Sequence, residues 1–154
     1  MHLQDYLELV CNCEQQLAKA FSKVARNHQD EPHIYYMCLM LALWSIEHAR
    51  EVESYKVKYA HPASKSKEPE RVHQAFLDEP LKGELALLRD LHDLWLLTKE
   101  IEICWNVLLQ AAKAKTDKDL ETSCIAMAKE TKRQSDWLIA RVKQAAPHIL
   151  APLE

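Results

Sequence analysis

The 154-residue sequence has a single glycine. A glycine-rich loop that cradles phosphate needs several, so nucleotide chemistry of that kind is close to excluded. β-Branched runs are few, and Ala, Leu, Glu, Lys and Gln are abundant. These residues lose least on entering a helix, so the composition argues for an all-helical protein. Basic blocks are missing and the formal net charge is −3, so the electrostatic footprint of a nucleic-acid binder is lacking. No basic region followed by an apolar run opens the chain, so no secretory signal is expected. The most apolar run, Tyr35 to Trp44, is too short to span a bilayer and leads directly into Glu47, His48 and Arg50. Cys-x-x-Cys does not occur, which removes c-type haem attachment, zinc ribbons and rubredoxin-like iron sites. The five cysteines, Cys11, Cys13, Cys38, Cys104 and Cys124, each lie within a helical pattern. They read as reduced, buried thiols of a cytoplasmic, soluble protein.

What the sequence does contain is helical periodicity of the kind found in bundles. A chain of this length is one ordinary domain, 1–154, able to bury a sizeable core. Leu3, Leu7, Val10, Glu14, Leu17, Phe21 and Val24 alternate steps of three and four, predicting a first helix over about 3–27. Asp30 or Glu31 can cap a second helix, with Pro32 in its first turn, over about 32–59. His61-Pro62 ends it. The polar segment 61–80 contains Pro62, Pro69 and Pro80 and reads as a crossover along the bundle, with a short helix at about 69–76. A third helix is expected over about 82–114. A fourth follows over about 118–145, capped by Thr116 or Asp117 and stopped by Pro147, with an apolar tail able to dock. The fold class is therefore all-α: a four-helix bundle of two antiparallel helical hairpins joined by a long crossover.

Two polar residues interrupt the apolar stripes of the first hairpin. Glu14 is the charged member of the first row, and His48 lies on the buried stripe of the second helix. They are equidistant from Glu31 at the turn, so in an antiparallel hairpin they face each other. In the second hairpin the same counting sets Glu102 opposite Glu130 or Thr131, and Glu100 opposite Lys132 or Arg133. Polar groups from four helices thus converge on one layer. Burying a lone carboxylate is costly unless it is paired, hydrogen-bonded or bound to metal, so a shared layer is a sound physical answer.

At Glu14-Gln-Gln-Leu-Ala-Lys-Ala-Phe21 and Ile46-Glu-His-Ala-Arg50 the chain resembles the ferritin-like superfamily of ferritins, bacterioferritins and rubrerythrins. In that family glutamates and Glu-x-x-His pairs project inward and hold two irons. The resemblance implies a metal set of Glu14, His48 and Glu102, with Glu51 or Glu130 filling in, for iron or manganese in a mono- or dinuclear site. It implies an oxidoreductase or an iron- or peroxide-handling role, in a homo-oligomer such as a dimer. The sequence departs from the family's pattern at Ser45, which stands where a bridging glutamate is expected, and in the fourth helix, where Glu130-Thr-Lys-Arg133 replaces Glu-x-x-His. The alternative is a bundle with no metal, a structural or protein-interaction module with a hydrogen-bonded layer where the site used to be. Each residue also has a plainer role: Glu14 as a side chain reaching solvent, His48 as a hydrogen-bonded core histidine, and the tryptophans as core aromatics.

Overall fold

The computed structural model describes residues 2–60 and 85–153. Within them the chain forms four helices and no strand: α1 (Leu3–Asn27), α2 (Pro32–Lys58), α3 (Leu85–Ala114) and α4 (Lys118–Leu150). The expected crossover at 61–80, its short helix at 69–76 and the start of the third helix near 82 lie outside the described residues. The 3–4 rows become buried faces. Leu7, Val10, Glu14, Leu17, Phe21 and Val24 of α1 are all buried, and so are Leu41, Ser45, His48 and Val52 of α2. Leu91, Leu94, Trp105 and Leu108 from α3 and Leu120 and Leu138 from α4 complete the core.

Helix ends follow from local chemistry. The Asp5 carboxylate accepts from the His2 backbone N–H at 2.9 Å, closing the first turn of α1. Glu31 occupies the position before α2, but its side chain makes no cap hydrogen bond; Pro32 starts the helix. α3 ends in a Schellman motif: the Asp117 N–H donates to the Ala112 carbonyl at 2.9 Å and the Thr116 N–H to the Lys113 carbonyl at 3.1 Å. The left-handed position of that motif, usually glycine, is filled by Thr116 at φ 54°. Asp117 then caps α4, accepting from the Leu120 N–H at 3.1 Å.

α4 departs from expectation at its end. It does not stop before Pro147 but continues to Leu150 with the proline inside it. A proline removes one helical N–H, which here orphans only the carbonyl of exposed Lys143, where water can accept the role. The Pro147 carbonyl still accepts from the Ala151 N–H at 2.9 Å. The tail does not dock as expected either. Because the helix runs on, Leu150 and Leu153 end up exposed.

α1 packs chiefly on α2 and α3 on α4; α1 meets α3 over a smaller area, and the α2–α4 seam is the sparsest. Long polar and aromatic side chains bridge that seam. Tyr55 shares a hydrogen bond with Ser123 at 2.9 Å, which donates to Glu51 at 2.8 Å. Lys58 reaches Asp117 at 2.8 Å, joined there by the Tyr59 hydroxyl. The Arg133 guanidinium lies over the Trp44 ring, 5.3 Å from its centroid. Among the described residues no helix is long and apolar enough to cross a membrane.

Candidate functional site

The seam opens onto the polar layer. α1 brings Glu14 and α2 brings His48 to the same level, and both are fully buried. The Glu14 Oε2 lies 2.8 Å from His48 Nδ1. On the far side of the ring, His48 Nε2 lies 2.7 Å from the Glu130 Oε2 on α4. Glu130 has a side chain 43% exposed, so the array runs from solvent to the centre of the fold. Trp105 of α3 packs edge-on to the imidazole, with ring centroids 6.2 Å apart.

An imidazole can donate from both nitrogens only when protonated, and the electrostatics of the layer favour that form. Burial works to lower the His48 pKa, but hydrogen bonds and charge from Glu14 and then Glu130 outweigh it, and the net direction is upward. Burial raises the Glu14 pKa, against the opposing pull of the His48 hydrogen bond and charge. The Trp105 indole also favours the Glu14 charge, although neither Trp105 Nε1 nor Glu14 Oε1 completes a hydrogen bond among the described residues.

The rest of the layer is tied off locally. Gln134 Nε2 donates to the Leu41 carbonyl and to Ser45 Oγ, each at 3.0 Å. Ser45, the residue at the expected bridging position, is therefore held by α4. Thr98 donates to the Trp95 carbonyl, Thr131 to Met127 and Ser135 to Lys132, each within its own helix.

Of the residues expected at a site, the fold brings Glu14, His48 and Glu130 together. Glu102 and Glu51 are placed elsewhere. The buried face of α3 centres on Leu94, Ile101 and Leu108, which moves Glu102 to the rim, where Lys99 donates to it at 3.1 Å. Glu51, one turn beyond His48, accepts from Ser123. Among the described residues no group of three or more His, Cys, Asp or Glu side chains is arranged to hold a metal ion. The donor geometry gives the reason. Glu14 and Glu130 bind opposite edges of one imidazole, so an ion at either nitrogen would find His48 and one carboxylate, short of the three protein donors of a catalytic site. The donor set does not fit the paired irons that the resemblance implies.

A second buried histidine–carboxylate pair lies outside the residues expected at a site. His28 Nε2 in the α1–α2 turn lies 2.7 Å from Asp90 Oδ2 on α3, with Arg89 at 3.7 Å from the other oxygen. Asp93 is buried beside it, and burial raises its pKa. The signal was present in the sequence: Asp90 falls between Leu87 and Leu94 on the inward row of α3.

Comparison of the chain with known protein families, with curated proteins and with solved structures finds no match.

Proposed function

We propose that the protein is a ferritin-like bundle of two antiparallel hairpins that works without metal, as a protein-interaction module that pairs with a second copy of itself. The carrying observation is His48, whose two ring nitrogens are both engaged by carboxylates, Glu14 and Glu130. The hydrogen bonds of Cys11 with Ala49 and of Glu14 with His48 step in opposite directions along α1 and α2, which supports the antiparallel hairpin. With Gln134 holding Ser45, the polar layer acts as a register lock. A slip of any helix would strand a buried charge or amide, at a cost of several kcal/mol.

The surface for the second copy lies on α2. Besides its buried face, this helix presents Tyr36 (68% exposed), Met40 (40%), Leu43 (61%) and Ile46 (39%) to solvent at steps of three and four. A helix apolar on both sides fits one with neighbours on both sides. Antiparallel pairing of two α2 helices about Met40 and Leu43 sets the Tyr36 hydroxyl near the mate's Glu47, a donor against an acceptor. Five free, buried thiols suit a reducing, cytoplasmic setting.

A second reading, an atypical mononuclear iron or manganese protein with redox or peroxide chemistry, draws on one observation. Glu14 Oε1, buried beside His48, has no hydrogen-bond partner among the described residues. Elemental analysis of protein purified without chelator, followed by anaerobic iron addition, separates the two. The proposal expects metal-free protein whose melting temperature iron does not move. Stoichiometric metal that vanishes in both Glu14→Ala and His48→Ala would establish the second reading instead. Sedimentation tests the pairing: a wild-type dimer and a Leu43→Glu monomer are expected, and a monomeric wild type would refute it.

A further inference from the structure

A cavity of about 540 Å³ lies where the end of α4 meets the starts of α2 and α3. Its volume is that of a small-molecule pocket. His33 lies about 22 Å along α2 from His48 at 1.5 Å per residue, so this place is separate from the polar layer.

The walls combine apolar surface with a guanidinium that has no ion-pair partner among the described residues. Ile34, Leu87, Ala145 and Ile149 supply the apolar part, and Arg141 and His33, with Glu31, Gln144 and His148, the polar part. Arg141 Nη1 lies 3.2 Å from His33 Nε2. A guanidinium can only donate, so Arg141 donates and His33 Nε2 accepts. The imidazole orients the guanidinium and brings no negative charge to it. The His33 ring in turn packs on Trp137, with centroids 5.8 Å apart. Among the described residues Arg141 has no carboxylate at ion-pair distance, and its Nε is buried with no hydrogen-bond partner. A partly buried guanidinium of this kind is usually matched by a carboxylate or phosphate in fork geometry. Glu31 also lines the cavity and repels a dianion more strongly than a monoanion.

From this arrangement we infer that the cavity binds a small amphipathic monocarboxylate: the carboxylate takes the Arg141 fork and the apolar body lies against Ile34, Leu87 and Ile149. The ligand supplies both missing parts, the counter-charge and the apolar contact. Either part alone is insufficient, because a short anion leaves the apolar wall wet and a neutral chain leaves the guanidinium unpaired.

Octanoate, below its micellar range, is the probe. Titration calorimetry of the full chain is expected to show saturable one-to-one binding, with acetate and octan-1-ol each at least tenfold weaker. Arg141→Gln is expected to weaken octanoate tenfold or more while leaving octan-1-ol unchanged. Should Arg141→Gln fail to fold, Ile149→Glu serves in its place, putting a carboxylate against the ligand. Three results would each overturn the inference: no saturable octanoate binding, octan-1-ol binding as tightly as octanoate, or a folded variant that retains wild-type affinity.

Discussion

His48 illustrates how a buried charge is kept in a protein interior. It is 0% exposed and depends wholly on its two carboxylates for charge compensation. Removing one partner of such a pair costs about 3–5 kcal/mol, whereas replacing both by apolar groups is often neutral. His48→Leu, which strands Glu14, is therefore expected to lower the unfolding free energy by about 3 kcal/mol or more, and Glu14→Leu/His48→Leu to recover most of the loss. Denaturant melts of the single and double variants measure this, and an additive double variant would contradict the coupling. The same pair sets a pH dependence. His48 binds its proton more tightly folded than unfolded, so its contribution is complete below its ordinary value of 6.5 and is lost as pH rises through the folded value. Glu14, also raised, acts in the same direction from 4.5 upward. Stability is expected to fall as pH rises above about 6.5, where the unfolded histidine gives up its proton while the folded one still holds it. The double variant should flatten that slope; an unchanged slope would show that its source is elsewhere.

At the scale of the helix, the α3–α4 turn concentrates several interactions in three residues. Thr116 sits in the left-handed region, which costs a β-branched residue roughly 1–2 kcal/mol. Thr116→Gly is expected to stabilise the fold by about 1 kcal/mol, offset in part by glycine's freedom in the unfolded chain; a lower melting temperature would argue against strain there. Asp117 caps α4 and ties it to the end of α2. Hydrogen bonds from Lys58, Tyr59 and the Leu120 backbone hold its pKa down to about 2. A depressed carboxyl contributes stability above its unfolded value, near 3.8, and loses it as pH falls towards 2. Asp117→Ala should cost about 1 kcal/mol for the lost cap, and the loss should shrink in acid melts below about pH 4. An equal loss at pH 7 and pH 2.5 would mean that the carboxylate charge contributes nothing.

For the whole molecule, the cysteines report on integrity. All five are free and buried. Burial, then Glu53, pushes the Cys11 thiol up to about 11, and burial pushes Cys38 and Cys124 up to about 12. The thiolate is the reactive form, so at pH 8 a thiol reagent is expected to find almost none in the native protein and all five once denaturant unfolds it. Rapid native labelling of one cysteine would reveal local opening of the helix that carries it.

Read alone, the sequence determined the helical class and the inward faces of α1 and α2, because periodicity and capping are local and each apolar row must be buried. It also determined that Glu14 and His48 meet, since a four-residue turn leaves little freedom in the α1–α2 register. Pro147 misled because a missing N–H stops a helix only where the freed carbonyl lacks another partner. Only the tertiary structure decided that Glu130 completes the His48 array while Glu102 stays at the rim. It alone also decided that Arg141 faces a cavity beside His33. Those placements depend on how α2 and α4 are set against each other. No short turn joins these two helices, so counting along the chain carries no information about their register.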